Sequence, residues 1–301
     1  MYTQSAIKIF DKVQATIRKL KQRRFSPSGS IQWVKLGGSY KIKAWYSGNY
    51  PAEYSNLNTI YVCDVCFSYF SHGPSQLRHM TKCPYWFAPP GDEVYRDKMN
   101  GISVFEVFGE VDPMYCSNLC RLSMLWLENK VVYIDVEPFV FYVLTSFSNG
   151  CFRPLGYFSK QKDFLTNNLC CFCVFPCYQS RGYGTFMIDF SYMLSRLAGV
   201  PSGPERPFSA HGSYVYRKYW CDKLIHLIYT KVLKTGWDNL HLRIEDLVKE
   251  TGIQEVEVIE AITDLCSYEW ASNKKTLTVH ITSEAIMEIG KYIHQKNNES
   301  F

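Results

Sequence analysis

Hydrophobic and polar positions alternate over short stretches from about Tyr40 to Val111, a pattern that predicts short strands joined by turns. From Tyr115 to Trp220, stretches rich in Val, Tyr and Phe alternate with stretches of helical period, which is typical of a mixed α/β core. Upstream of both, apolar residues recur at helical spacing from Ile7 to Leu20 with basic residues between them. The segment Ser26–Ser30 then predicts a linker.

The C-terminal part of the chain has a helical pattern. We predict helices at Leu224–Leu233, Ile244–Glu250 and Val256–Leu265, a strand at Thr276–Ile281, and a closing helix at Ser283–His294. A turn at Thr251-Gly252 between two short helices is similar to a helix-turn-helix or winged-helix unit.

Composition and charge exclude several classes of protein. The 301 residues are 47% hydrophobic, which predicts a folded chain, and the net charge of +5 is too small to argue for nucleic acid by itself. No apolar run approaches the roughly 20 residues that cross a bilayer, and Met1–Phe10 lacks the apolar segment of a signal peptide. We therefore expect a soluble, unsecreted chain whose twelve cysteines serve metal binding, catalysis or the core.

Four of these residues have the spacing of a zinc site. Cys63, Cys66, His79 and Cys83 form Cys-x2-Cys-x12-His-x3-Cys, in which a tight knuckle aims two thiolates at one point and a helical turn aligns the second pair. Four such ligands suit a closed, tetrahedral structural zinc. A DNA-reading finger has a similar frame. The short helix Ser75–Arg78 offers little for reading bases, so we favour a structural role.

A second motif indicates an anion site. Leu169–Phe175 is strand-like, Pro176 ends it, and Gln179-Ser180-Arg181-Gly182-Tyr183-Gly184 leads into a helix whose predicted apolar face is Met187, Phe190, Leu194 and Leu197. Glycines at a helix N-terminus let backbone N–H groups approach a phosphate. The pattern Gln-x-x-Gly-x-Gly resembles the pyrophosphate motif of acetyl-CoA-dependent acetyltransferases and differs from the nucleotide-binding loops.

Further motifs, taken in order, resemble those of the MYST family of histone acetyltransferases. They are Pro89–Arg96 (PPGDEVYR), Tyr115–Cys120 (YCSNLC), Asp135–Phe139 (DVEPF), Gly156–Lys160 (GYFSK), Ile188–Tyr192 (IDFSY) and Pro204–Pro207 (PERP). The resemblance covers roughly Tyr40 to the C-terminus.

The resemblance implies a mixed α/β (α+β) fold and a set of site residues. The expected core surrounds acetyl-CoA and is flanked by a zinc-finger region and a winged-helix-like region. Glu205 corresponds to the general base, Cys171 to the active-site cysteine, and Lys130 to a lysine that is itself acetylated. The cofactor contacts implied are Phe172, Cys173, Val174, Gln179, Ser180, Arg181, Gly182, Tyr183, Gly184, Thr185 and Ser209. Four positions depart from the family pattern: Ser180 with Arg181, Thr185, Ala210 and Lys218.

Two roles remain open for Cys171. It could accept the acetyl group and pass it to lysine. Alternatively, it could only shape the pocket while lysine attacks acetyl-CoA directly, a route that we favour, with backbone N–H groups near Cys171 stabilising the oxyanion. In either route a buried carboxylate, which we expect to be Glu205, would take the proton of the substrate lysine.

The predicted organisation has four parts: residues 1–36 (basic helix and linker), 37–112 (zinc-finger flank), 113–221 (acetyl-CoA-binding core) and 222–301 (helix-turn-helix-like flank). The expected substrate is a histone tail, and the expected partners are scaffold subunits of a chromatin-modifying complex. The expected location is the nucleus, with a second pool in the cytoplasm allowed. The alternatives are a chromatin- or DNA-binding module and an inactive scaffold. Direct DNA binding is allowed but not required, and no membrane partner is expected.

Overall fold

The computed structural model describes residues 31–46, 48–54, 56–127, 135–236, 242–265, 267–270 and 277–280. The predicted helix Ile7–Leu20, the linker Ser26–Ser30, Lys130 and the closing helix Ser283–His294 lie outside these residues.

The chain divides into two compact units. The first comprises the described residues up to Glu137 with Val143–Gly156 and Phe175–Tyr178, and the second comprises Pro138–Tyr142, Tyr157–Val174 and the described residues from Gln179 onward.

A four-stranded sheet of order β2-β1-β3-β4 lies in the first unit. Its strands are β1 (Trp33–Leu36), β2 (Tyr40–Lys43), β3 (Thr59–Val62) and β4 (Tyr69–Phe70). β1 pairs with β2 antiparallel and with β3 parallel, and β4 returns antiparallel on β3. Alternate residues of β1 and β3 are buried, so these strands present one face to the core.

A five-stranded sheet has the order β10-β8-β7-β6-β5. Its strands are β5 (Asp92–Asp97), β6 (Ile102–Phe108), β7 (Phe139–Ser148), β8 (Cys151–Gln161) and β10 (Cys171–Val174). Most of β7 and β8 is buried continuously, as expected of strands covered on both faces. Gly91, at φ 83°, directly precedes β5, and a Cβ there would lie 2.0 Å from the Glu106 carbonyl oxygen, so only glycine fits.

Six α-helices accompany the sheets within the described residues. They are α1 (Gly73–Met80), α2 (Pro113–Ser123), α3 (Tyr183–Ala198), α4 (Ala210–Thr235), α5 (Ile244–Thr251) and α6 (Glu255–Leu265). Short 3-10 helices lie at Ala52–Tyr54 and Pro176–Tyr178. None of the described helices has the length and apolar character that a membrane span requires.

The second unit also contains two small sheets. β9 (Asn167–Leu169) pairs in parallel with β11 (Gly203–Pro204), and β12 (Ser267–Trp270) pairs antiparallel with β13 (Leu277–His280). Its core contains Trp220, whose indole N–H donates to the Tyr192 hydroxyl at 2.8 Å. Ile188, Leu224, Ile253 and Val258 pack into the same cluster and thereby join helices α3 to α6.

The mixed α/β class is confirmed, as are the predicted helices α5 and α6 and the strand β13. The predicted helix Leu224–Leu233 is confirmed and is part of the 26-residue helix α4. The predicted strand Leu169–Phe175 was wrong in its continuity, because it is interrupted at Cys170. In α3, Met187 and Phe190 are buried as predicted, but the prediction was wrong at Leu197, which is 78% exposed. The buried face also includes Ile188, Tyr192 and Ser195. The four-part division stays a prediction, and α4 is continuous across residues 221 and 222.

Candidate active site and zinc-binding finger

The finger begins with a tight knuckle after β3. The Cys63 N–H donates to the Ser68 carbonyl at 2.9 Å and the Phe67 N–H returns to the Cys63 carbonyl at 3.1 Å. Phe67 has the left-handed φ of 61°, which closes the turn. Pro74 near the start of α1 suits a helix beginning there, and α1 carries His79 toward the knuckle.

Four donor atoms converge in this finger. The ligand atoms of Cys63, Cys66, His79 and Cys83 all lie within 4.8 Å of one another, and the three cysteines are buried. A tetrahedral zinc with sulfur and nitrogen ligands needs donor–donor separations of about 3.6–3.8 Å. The donor set and its spacing therefore fit a closed structural zinc, and the predicted metal site is confirmed as a Cys3His cluster.

The knuckle favours thiolate at one of its cysteines. A hydrogen bond from the Cys63 thiol lowers the pKa of Cys66, and the hydroxyl of Ser68 and the ring of His79 act in the same direction. Because zinc binds thiolate and not thiol, this environment favours Cys66 as a ligand.

The helix α1 is held to the first sheet by a buried amide. Gln76 is 2% exposed, and its Nε2 donates to the carbonyls of Lys35 (3.1 Å) and Val62 (2.6 Å). A base-reading helix would expose such a side chain to a groove. Gln76 therefore supports the structural role of the finger, and the sequence pattern gave no signal of its burial.

A short parallel pairing brings the loop that carries Glu205 next to the strand break at Cys170. Pro204 of β11 is paired with Leu169 of β9, and the Glu205 N–H donates to the Leu169 carbonyl at 2.8 Å. Glu205 thus follows a short parallel pairing that ends two residues before Cys171. The strand break and this pairing place the two predicted catalytic residues in one local arrangement, although they are 34 positions apart in the sequence.

Ser159 of β8 accepts hydrogen bonds from two successive backbone N–H groups at this break. The Cys170 N–H donates to the Ser159 carbonyl at 2.8 Å, and the Cys171 N–H donates to the Ser159 hydroxyl at 3.2 Å. These two N–H groups therefore already have acceptors in the buried Ser159, and the expectation that backbone N–H groups near Cys171 stabilise an oxyanion stays a prediction.

The loop before α3 has the backbone of an anion site. Ser180 (φ 61°) and Gly182 (φ 81°) are both left-handed, and Gly182 is the N-cap of α3 without a side-chain cap. Such backbone turns N–H groups toward one point, where the positive end of the helix dipole adds to them. A Cβ on Gly182 would meet nothing within 4 Å, so the space beside it is open.

The loop is anchored to the strand that precedes it. Gln179 Nε2 donates to the Val174 carbonyl at 2.9 Å, and a Cβ on Gly184 would lie 3.5 Å from the Phe172 ring. Most of the predicted cofactor residues therefore lie on two neighbouring segments: Phe172, Cys173 and Val174 on β10, and Gln179, Ser180, Arg181, Gly182, Tyr183, Gly184 and Thr185 in the loop and first turn of α3.

Two family models match this chain. Residues 88–300 match the MOZ/SAS family, and residues 30–83 match the MYST family zinc finger domain.

The chain belongs to the MOZ/SAS family.

Three relatives are named as histone acetyltransferases. The chain is 35% identical to "Histone acetyltransferase mst2" of Schizosaccharomyces pombe over 303 residues, covering 96% of this chain and 72% of that protein. It is 41% identical to human "Histone acetyltransferase KAT6A" over 239 residues, 79% of this chain but 11% of that protein. It is 38% identical to "Histone acetyltransferase esa1" of Emericella nidulans over 261 residues, 86% of this chain and 49% of that protein.

Two other predicted residues of this MOZ/SAS chain have surroundings that the sequence did not indicate. Glu205 is exposed, so the expectation of a buried carboxylate was wrong: its neighbours Ser202, Gly203 and Pro204 are buried while the loop turns outward after them. Ser209 is the N-cap of α4, where its hydroxyl accepts from the Gly212 N–H at 3.0 Å. A cofactor contact of Ser209 would therefore use an oxygen that already caps a helix.

Proposed function

We propose that this chain is a histone acetyltransferase that moves an acetyl group from acetyl-CoA to the ε-amino group of a lysine in a histone tail. The observation that carries the proposal is the hydrogen bond from Glu205 to Leu169, which sets a carboxylate-bearing loop beside the Cys170–Cys171 strand break. The similarity to relatives that are named histone acetyltransferases supports it. In this proposal Lys130 is a lysine of the chain itself that becomes acetylated, in addition to the histone substrate. The proposed partners are scaffold subunits of a chromatin-modifying complex, and the proposed location is the nucleus.

Acetyl-CoA would supply the activated thioester and its pyrophosphate as a binding handle. Residues Gln179 to Thr185 would receive the pyrophosphate, because their left-handed backbone and the α3 N-terminus favour negative charge. Phe172, Cys173 and Val174 of β10 would bind the acetyl and pantetheine end, since this strand leads directly into that loop. The structural zinc would hold the finger and take no part in the chemistry.

The chemical task of the site is to neutralise the substrate lysine. A lysine with a pKa near 10.4 costs about 4.6 kcal/mol to deprotonate at pH 7. Glu205 would accept that proton, directly or through one water, while the amine attacks the thioester carbon and the C–S bond breaks. The CoA thiolate leaves and takes up a proton. An exposed Glu205 suits a base that meets its substrate at the surface of the protein.

Transfer itself tests the proposal. The purified chain is incubated with acetyl-labelled acetyl-CoA and core histones, and the label on lysine is located by mass spectrometry. Label on histone lysines above the enzyme-free rate is the expected result. The substrate assignment would be contradicted if the chain bound acetyl-CoA but labelled neither histones nor histone complexes faster than the enzyme-free background.

If lysine attacks acetyl-CoA directly, Cys171 forms no covalent intermediate and turnover should survive its replacement. Cys171→Ala at saturating acetyl-CoA is expected to keep kcat within about tenfold of wild type, because the residue then only shapes the pocket. Initial rates of histone acetylation measure this, with Cys170→Ala, the adjacent partly buried thiol, as the matched control. A complete loss of turnover in Cys171→Ala alone, with acetyl-CoA still bound, would establish the acetyl-cysteine route instead.

A further inference from the structure

The loop that carries Glu205 is held by the segment between α5 and α6. The Ser202 N–H donates to the Gly252 carbonyl at 3.0 Å, and Ser202 forms a parallel bridge with Ile253. Gln254 Nε2 donates to the Thr166 carbonyl at 2.8 Å, next to the start of β9. The segment therefore contacts the residue directly before each strand of the β9–β11 pair, which precedes the two predicted catalytic residues.

Glu257 of α6 contacts that loop on both sides of Glu205. A Cβ on Gly203 would lie 2.7 Å from Glu257 Oε1, so the carboxylate fills the space that the glycine leaves. The same oxygen is 3.4 Å from the guanidinium of Arg206. Glu257 thus touches the residue two before Glu205 and pairs with the residue directly after it.

The burial of Glu257 argues against an ordinary surface ion pair. Its side chain is 3% exposed, and Oε2 has no hydrogen-bond partner among the described residues. Burial raises the pKa of Glu257, and Arg206 opposes that rise. A buried carboxylate with one satisfied oxygen costs stability, and apolar packing would serve a core better. A carboxylate at this place needs a reason beyond packing, and its contact with Arg206 gives one.

Arg206 in turn is fixed by more than this pair. Its guanidinium is also 3.4 Å from Glu260, one turn further along α6, and lies 4.9 Å from the centre of the Phe208 ring. Phe208 stacks on Tyr216 with ring centres 5.6 Å apart and an interplanar angle of 15°. Residues on both sides of Glu205 are therefore anchored, while Glu205 itself remains exposed.

The geometry points to Glu257 as a positioning residue for Glu205: it holds the Gly203–Arg206 loop so that the carboxylate of Glu205 is aimed at the substrate lysine. This inference rests on the proposed function of Glu205 as general base. It assigns α6 an indirect part in catalysis: Glu257 acts through the loop and does not contact the substrate.

The test compares single-turnover acetylation of core histones by the full chain at saturating acetyl-CoA. Glu257→Gln keeps the shape beside Gly203 and removes the charge that pairs with Arg206. We expect it to lower the rate by about tenfold or more, since small misplacements of a reacting group are costly, while the Kd for acetyl-CoA changes by less than about twofold. Glu260→Gln is the matched control, because it faces the same guanidinium at the same distance but is 44% exposed, and we expect a smaller loss.

Arg206→Gln is a second variant that breaks the same ion pair without changing the buried residue, because the Arg206 side chain is 47% exposed. The double variant Glu257→Gln/Arg206→Gln is expected to be no slower than the slower single variant, as required of two residues acting through one contact. Additive losses would overturn the inference.

The decisive comparison adds Glu205→Gln. If Glu257 acts through Glu205, Glu257→Gln has no further effect in the Glu205→Gln background, measured near pH 9 where more substrate lysine is neutral. An equal loss in both backgrounds would show a merely structural role and overturn the inference. The proposed base fails in a distinguishable way: Glu205→Gln alone would then acetylate at the wild-type rate at about pH 7, where the substrate lysine is almost fully protonated.

Discussion

Replacing Cys66 with alanine is expected to abolish zinc binding and to destabilise the first unit. Cys66 is the buried ligand whose pKa is lowered by the Cys63 thiol, and its loss leaves three donors around the metal. Structural zinc supplies about 10–16 kcal/mol of binding free energy in finger peptides, so losing one ligand should cost roughly 3 kcal/mol or more of folding free energy. Zinc content by elemental analysis should fall from one equivalent to nearly none, and Tm should fall on the order of 10 °C.

Cys116→Ala is the matched control for this prediction. Cys116 on α2 is fully buried in the same unit but lies outside the metal cluster, so its replacement leaves only a small cavity. We expect a loss of about 1 kcal/mol with zinc content unchanged. Equal zinc content in Cys66→Ala and wild type would show that the Cys3His cluster is not the metal site.

The second large effect is expected at Glu205. Glu205→Gln keeps the size of the side chain and its backbone bond to Leu169 but cannot accept a proton. General bases contribute about 10²–10⁴-fold, so kcat at pH 7 should fall by that factor. The loss should shrink as the pH rises toward the pKa of lysine near 10.4, because the substrate amine is then already neutral without the base.

Initial rates of histone acetylation, measured from about pH 6.5 to about pH 9.5, test this prediction, because the series approaches the lysine pKa from below. Glu53→Gln, the same substitution at an exposed residue of the first unit, should leave the profile unchanged. A uniform loss for Glu205→Gln at every pH would indicate a role in folding or in binding, and no loss at all would remove Glu205 as the base.

The sequence was sufficient for those features that depend on local spacing. The Cys-x2-Cys and His-x3-Cys intervals identify the four metal donors, because a knuckle and a helical turn fix their geometry within 21 residues. The helices α5 and α6 follow from their apolar period, and Gly252 between them has the left-handed φ of 74° typical of a helix end.

Features that depend on distant parts of the chain could not be predicted in this way. The interruption at Cys170 arises where Ser159, on another strand, binds two successive N–H groups. The burial of Gln76 requires carbonyls of two strands, and that of Glu257 requires a glycine and an arginine more than 50 positions away. Polar residues in a helical pattern are typically exposed, so periodicity alone gives no indication that these two side chains are buried.

Binding of acetyl-CoA is the measurement that tests the central claim most directly, since transfer to histones could also fail for want of a partner subunit. Calorimetric titration of the zinc-loaded chain should show saturable 1:1 binding that free CoA competes away. Gly182→Ala should weaken it by about tenfold or more, because a side chain would enter the open space at the α3 N-terminus.

Gly199→Ala is the control, because Gly199 lies at the other end of α3 with a similar φ of 67° and equally open surroundings. It carries the same backbone strain of about 1–2 kcal/mol but lies away from the loop, so the affinity should be nearly unchanged. Saturable binding that is weakened in Gly182→Ala and kept in Gly199→Ala is the result that we predict. Failure of the wild-type chain to bind acetyl-CoA would contradict the proposed acetyltransferase.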